Sequence, residues 1–527
     1  MKKFILIVAA FFAAGISGCK KDYLSLEVNP NAPSVGTPAL VLAGALSAST
    51  NIVQGTYPAN FGVWAGYFTT SGNYVPNQTL NQYQLTNTSL NGDWGSWYAN
   101  LTNYNTLQKA TASDATLANY TAICMIMKAY GFQMLVDNYN DIPYSQAFQP
   151  STILFPAYDK GIDVYHDLGK QLDAAIALIQ KSPTAVSPGA SDIVFGGNMT
   201  GWLKFANSIK LRLAMRMSTK LAGDPLVTDL ASTASAGYLD GTTQAIANPG
   251  YSNTTGKQNP YWGSYGFDPT NNPVFGSVYY RANDFAVTML NNFNDPRVGQ
   301  LYAPLTAAYP AVTYRGNVFG DPNAKGDVNT SATGPGLVQS PTQGAYLFTG
   351  AESLFLQAEA LNDGFNIAGA ATTPATAQAA YEAGITASFV QVQAGGTTVA
   401  ASTATGGSVQ TVGFVYTAPS ATTSTALAVT YYSQAINNVG WAASTNKEQA
   451  IITQKWIALN GLFAFEAYNE FRRTGFPAIP ASIDPAKVNA TTPVRVLYPL
   501  SELSTNPTNL GKEGTISPFT SKIFWAQ

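Results

Sequence analysis

Side chains able to do catalytic or metal chemistry are sparse in this sequence. His166 is the single histidine, and Cys19 and Cys124 are the two cysteines among 527 residues. One histidine excludes a His-rich zinc site and the metalloprotease helix, which needs two imidazoles on one face. His166 lies in YDKGIDVYHDLGKQLDAAIALI, an amphipathic pattern, and reads as a solvated or locally bonded helix residue. Two cysteines leave no CxxC chemistry and no disulfide framework. Cys124 falls on an apolar stripe with Met127 and Met134 and reads as a small buried hydrophobe. Glu352 and Glu359 are seven residues apart on a predicted helix, which separates them by about 10 Å along the axis. A retaining glycosidase needs about 5 Å and an inverting one about 6.5–9.5 Å between carboxyls. The pair is therefore expected to anchor packing against arginines such as Arg472 or Arg473, and Arg212 and Arg216 are read as further pairing partners rather than an anion clamp. Asp137, Asn138, Asn140 and Asp141 offer the oxygens that Ca²⁺ takes, but their pattern is read as turn chemistry with local backbone amides. The run from Asp321 is no EF-hand, because Lys325 and Ala332 stand where ligands belong. No phosphate-binding glycine motif opens a helix, and no cofactor is expected.

What the chain has in quantity is aromatic rings and neutral amides. Aromatic residues make up 12% and charged residues 11%, with a net charge of −2, so there is no basic field to collect nucleic acid. Sugar rings stack their C–H faces on aromatic rings while amides and backbone groups satisfy the hydroxyls. Three stretches have that composition: 64–83, 251–265 and Tyr279-Tyr280-Arg281. Within them Tyr67, Asn73, Tyr74, Trp262 and Tyr265 are the candidate ligand residues. Trp94, Trp97 and Tyr98 have the spacing of a helix start and are assigned to the core.

These residues must be positioned by a mainly helical body. Lys2 and Lys3 precede an apolar run from Phe4 to Ile16, too short to span a bilayer, and Ser17-Gly18-Cys19 follows. This is a lipoprotein leader over 1–18, with Cys19 the acylated residue and 19–38 a polar tether. Helical periodicity appears near 94–110, 115–138, 159–181, 199–221, 346–362, 375–391 and 447–472. The helices come partly in pairs, which resembles helical-repeat packing, although no strict repeat consensus survives. Loop-rich insertions near 49–93, 235–280, 300–343 and 393–440 are rich in Gly, Asn, Thr, Pro and Tyr, and the last has β-compatible FVYT and LAVTYY at its edges.

Several blocks together resemble the SusD/RagB family of Bacteroidota outer-membrane lipoproteins, particularly its SusD-like branch. They are KDYLSLEVNPNAPS after the cysteine, KAYGFQMLVDNYNDIPYSQAF at 128–148, WLKFANSIKLRLAMR with Asn207, Arg212 and Arg216, and NDPRV at 294–298. AESLFLQAEAL at 351–361, YEAGITASF at 381–389 and the closing ITQKWIALNG, YNEFRRTGFP and RVLYPLSE complete the series in the family's order. The resemblance implies one domain over 39–527, with tetratricopeptide-like helix pairs forming a scaffold under a large irregular loop-rich half that contains short β segments. It also implies a non-catalytic lid, outward-facing on the outer membrane, that hands an oligosaccharide to a SusC-like TonB-dependent transporter. Oligopeptide capture of the RagB type is the alternative within the family. A surface glycoside hydrolase is the alternative outside it, with Asp268 and Asp284 the nearest loop carboxylates.

Overall fold

The computed structural model describes residues 36–149, 151–305, 313–369, 373–401 and 413–527. Cys19, the leader and the tether up to residue 35 lie outside the described residues.

The helix-period segments fold as expected, and they pair. In chain order, the helices of eight or more residues are α1 (Pro38–Asn51), α2 (Tyr57–Trp64), α3 (Gly92–Thr111), α4 (Ala118–Tyr139), α5 (Gly161–Lys181), α6 (Met199–Leu221), α7 (Asp284–Asn292), α8 (Gly350–Asn362), α9 (Ala377–Gln391), α10 (Ala421–Tyr432), α11 (Lys447–Leu459) and α12 (Ala464–Thr474). α3 packs on α4, α4 on α5 and α5 on α6, α8 packs on α9 and α11, and α6 joins the two blocks through α8. Three two-stranded antiparallel ribbons complete the architecture: β1 (Phe68–Thr70) with β3 (Tyr280–Ala282), β2 (Ala245–Ala247) with β4 (Ala345–Phe348), and β5 (Thr397–Ala401) with β6 (Gly413–Thr417). The chain is mainly α, as the sequence predicts, with short β segments in the loop-rich half.

Three segments differ from expectation. LAVTYY belongs to helix α10, not to a strand: Ser420 caps it through Thr423 N, and Ser424, Ala428 and Tyr431 bury one face. That spacing outweighs the β propensity of its branched and aromatic residues. FVYT does lie in a strand, β6. The predicted loop 49–93 begins within α1, opened by Thr37 and Pro38, and contains α2. The predicted helix 447–472 is broken between Leu459 and Ala464, where Gly461 takes a left-handed φ of 77°.

The blocks meet over buried charge. Arg212 on α6 binds both oxygens of Glu352 on α8, at 2.8 and 2.9 Å, and lies 3.3 Å from Glu466 on α12. Arg216, one turn on, reaches Asp137 on α4 at 3.2 Å and also Glu466. Lys455 on α11 holds Glu470 at 2.8 Å, and Arg473 bridges Glu470 and Glu359, the latter at 2.6 Å. The expectation that Glu352 and Glu359 pair with arginines holds, with Arg212 and Arg473 as partners. Arg472 instead donates to the carbonyls of Val494 and Asp137. Asp137 is corrected: it is not a turn residue but part of this core, where it also accepts from Tyr165 OH and Trp525 Nε1. Asp141 accepts from its neighbour Asn140 Nδ2 at 2.8 Å, but its backbone donor is Gly161 N, twenty residues on at the start of α5, so it too reaches beyond a local turn.

Burial sets the expected cost of three substitutions. Arg216→Met leaves Asp137 and Glu466 short of their partner and is expected to cost about 3–5 kcal/mol in chemical denaturation. Lys160→Ala, which removes an exposed partner of Asp141, costs under about 1 kcal/mol. Asp93, 2% exposed on α3, keeps a buried Oδ2 that meets no donor among the described residues, and desolvation raises its pKa to about 7. The folded state therefore holds this proton where the unfolded chain, with a carboxyl near 3.8, has lost it. Stability contributed by the protonated form falls as pH rises from about 4 to 7. Asp93→Asn is expected to flatten that decline, with a gain of order a few kcal/mol at pH 8 and little difference near pH 4, read from denaturation midpoints across pH.

Candidate functional site

The β1–β3 ribbon decides which rings reach the surface together. Phe68 pairs with Ala282, Thr69 with Arg281 and Thr70 with Tyr280, so the residues that leave β1 lie beside those that enter β3. Ser71 N donates to Tyr279 O at 2.8 Å and extends the ribbon by one rung. Gly72 follows because the chain passes against the Ala324 carbonyl, where a Cβ would come within 1.8 Å. The next side chains, Asn73 and Tyr74, then project outward. Asn73 Nδ2 donates to Asp327 Oδ1 at 2.5 Å and ties this turn to the neighbouring loop. Arg281 anchors the same loop from below, donating to the carbonyls of Ser277 and Asp327 at 2.8 Å and to Thr330, with its pKa lowered to about 10 by desolvation.

Tyr74 meets two rings of the short helix Phe275–Tyr279. Its ring centroid is 5.6 Å from Phe275 and 5.3 Å from Tyr279, both edge-on. Phe275 and Tyr279, one turn apart, stack at 5.1 Å, and Tyr279 stands edge-on to Tyr280 at 4.9 Å. Phe275 is 64% exposed and Tyr74 37%, with Val75 beside them at 85%, so the cluster presents an apolar face to solvent. Tyr280 also lines a cleft of about 460 Å³ whose other walls include Asn60, Asn77, Gln78, Gln84, Thr86 and Thr88. Asn77 caps the helix Gln78–Asn81 by accepting from Leu80 N at 3.0 Å. Burial raises the Tyr279 pKa, and the Asn77 side chain partly offsets the effect. The cleft lining carries amides, hydroxyls and one phenol, with no ionised group.

The ribbon thus brings Tyr74 and Asn73 to the face together with Tyr279 and Tyr280 of the third stretch. Tyr67 and Tyr265 are corrected. Tyr67 is fully buried, its hydroxyl donating to Trp456 O, and its ring lies 4.7 Å from Trp456. Tyr265 is 3% exposed and donates to Gly55 O at 2.9 Å. Both hydroxyls are satisfied by backbone carbonyls inside the core, so neither ring has a face for a ligand. Trp262 is half-buried against Phe267 at 5.4 Å, and among the described residues no ring contact joins it to the Tyr74 cluster. Phe275, Asn77 and Gln84 were missed. Phe275 stands four residues before Tyr279, a spacing that puts two rings on one helix face.

The other candidates are structural. His166 Nε2 lies 2.8 Å from Asp224 Oδ2, and Cys124 is fully buried with its thiol pKa raised by desolvation. Trp94, Trp97 and Tyr98 pack on the core as expected. Among the described residues no group of three or more His, Cys, Asp or Glu is placed to hold a metal, and no helix is long and apolar enough to cross a membrane.

Helix pairs carrying a loop-built aromatic face beside a neutral cleft define a scaffold that presents a binding surface. The chain belongs to the SusD-like family, whose model, described as starch-binding and associating with the outer membrane, matches residues 30–499. No curated protein matches the sequence. Among solved structures, a chitin-binding protein is 23% identical with a TM-score of 0.73, covering 93% of this chain and 99% of its own. A SusD homologue from Bacteroides uniformis is 24% identical with a TM-score of 0.67, over 92% and 99%. A chitin-binding SusD homologue from Flavobacterium johnsoniae is 22% identical with a TM-score of 0.68, over 92% and 98%. At these identities the likeness establishes the fold.

The assignment of rings to face or core is tested by limited nitration with tetranitromethane and peptide mass mapping. Tyr74 is expected to nitrate in the folded protein, while Tyr67 and Tyr265 stay unmodified until it is unfolded.

Proposed function

We propose that the protein is a non-catalytic outer-membrane lipoprotein, anchored through Cys19 with its body facing outward, that captures an oligosaccharide and passes it to a SusC-like TonB-dependent transporter. The observation that carries this reading is the face of Tyr74, Phe275, Tyr279 and Tyr280 beside the amide- and hydroxyl-lined cleft. A pyranose stacks its C–H face on an exposed ring, and the displaced hydroxyl hydration is replaced by donors and acceptors that carry no charge. Such a lining favours neutral sugars, since an ionised ligand would lose its hydration without gaining a counter-charge. Family membership supports uptake at the outer membrane, and the chitin-binding names of two structural neighbours support a glycan as the cargo.

Non-catalysis has a physical support at Asp268, one of the two carboxylates considered for hydrolysis; the other, Asp284, opens helix α7 rather than lying in a loop. Asp268 is half-buried and accepts from Thr270 N, Thr270 OH and Asn272 N, and these bonds lower its pKa. A general acid for glycoside cleavage needs the opposite shift. Neither a metal nor a cofactor is invoked in capture.

Titration calorimetry with chito-oligosaccharide and malto-oligosaccharide tests the proposal. Binding of one of them is expected, with Tyr74→Ala and Phe275→Ala each weakening it about tenfold, or about 1.4 kcal/mol, and with Tyr67→Phe leaving affinity unchanged. No shortened glycan should appear on long incubation. Glycan binding indifferent to both surface substitutions, or hydrolysis that is lost with one carboxylate, would overturn the reading.

A further inference from the structure

A second cavity, of about 710 Å³, lies in the helical scaffold and shares no lining residue with the cleft. Its floor is α4, which packs against α3 on one side and α5 on the other. Met125, Ala129 and Phe132 of the floor, with Phe148 from the loop after it, make an apolar bed. The walls carry opposite charge. Lys109 stands on the α3 side next to Lys128 of α4, whereas Asp163 and Asp167 stand on α5.

These charges are not joined in close ion pairs. The Lys128 ammonium donates to Asn105 Oδ1 and Gln108 Oε1, both at 3.0 Å, and those partners are neutral. Among the described residues no carboxylate lies within ion-pair distance of Lys128 or Lys109. Burial chiefly, and the charge of nearby Lys109, lower the Lys128 pKa, while the Asp167 charge across the groove offsets only part of that shift. Across the groove Asp163 forms no ion pair among the described residues, and Asp167 uses Oδ2 for Tyr144 and Gln171. Asp159, the third carboxylate of the lining, is already engaged by Tyr144 N, Ser145 N and Ser145 OH. A half-buried ammonium held only by amide oxygens over an apolar bed, opposite carboxylates it does not reach, is incompletely compensated.

We propose that this cavity binds an elongated zwitterion, with its carboxylate on Lys128 and Lys109, its ammonium on Asp163 and Asp167, and an apolar body on Phe132 and Met125. Lys128 and the two aspartates project from adjacent helices, whose axes lie about 8–10 Å apart, so the ligand's two charges sit at opposite ends of an elongated body. A lysine-like ω-amino acid has that shape. The cavity lies in the usual range for small-molecule sites, about 300–1,000 Å³. The inference stands on the scaffold alone and does not rest on the glycan reading.

Calorimetry on the full chain with 6-aminohexanoate, hexanoate and hexylamine tests it. 6-Aminohexanoate is expected to bind at least tenfold more tightly than either compound lacking one charge. Lys128→Gln should reduce it to the affinity of hexylamine, and Asp163→Asn, at an exposed position, to that of hexanoate. Oligosaccharide binding should be unchanged in both variants, which separates failure here from failure of the glycan site. No binding of 6-aminohexanoate to the folded wild-type protein, or affinity unaltered by both substitutions, would overturn the proposal.

Discussion

The structure depends on compensating charge buried where its two helical blocks meet. Asp137, Arg212, Arg216, Glu352, Glu359, Lys455, Glu466, Glu470 and Arg473 are each 2% exposed or less and come from five helices. An isolated buried ion would cost several kcal/mol, so each must stay within reach of its partners. That requirement fixes the rotation and register of α4, α6, α8, α11 and α12 more narrowly than apolar packing does, because apolar side chains tolerate sliding and ion pairs at 2.6–3.3 Å do not. Five carboxylates face four cations in this set. Burial accordingly raises the pKa of Glu359, with Arg473 offsetting part of the shift.

A rigid scaffold lets the loop-rich half be irregular. Ribbon β1–β3 has three rungs and would not persist alone. It is held because Tyr67, just before β1, is plugged into α11 through Trp456, and because Arg281 within β3 gathers the carbonyls of the adjacent loop. The surface rings therefore sit on a short element nailed down at both ends by buried side chains. Tyr67 and Tyr74 divide that labour: one holds the strand and the other faces solvent.

Sequence reading recovered the helices because their signal is local. A cap and a 3.6-residue period are visible in a window of a dozen residues, whereas the break at Gly461 inside the predicted 447–472 helix was passed over. It failed for α10, whose residues favour strands by propensity and whose helical face shows only in the spacing of Ser424, Ala428 and Tyr431. The pairing of Glu352 and Glu359 with arginines was accessible by elimination, since ionised groups seven apart on an apolar helix need partners. Asp137 was misread because its neighbours Asn138, Asn140 and Asp141 look like a turn, while its own partners lie 79 and 388 residues away. The same gap explains the site. An aromatic residue in a Gly-, Asn- and Thr-rich loop has one appearance whether it plugs the core or faces water, and the difference for Tyr67 and Tyr74 was fixed by a strand pairing with residues more than 200 positions on.

The low charge of the sequence has a second meaning in three dimensions. Of 27 basic and 29 acidic residues, nineteen are buried among the described residues. About a third of the charge thus lies inside, nine of these residues holding the helices in register, while the lining of the surface cleft carries Asn, Gln, Thr, Ser and Tyr. A surface of that kind binds through many weak, uncharged contacts rather than a few strong ones, and such contacts are little affected by salt. For the glycan capture and release proposed above, that division is physically coherent: tight ionic geometry keeps the scaffold in one shape, and weak neutral contacts would keep a ligand exchangeable.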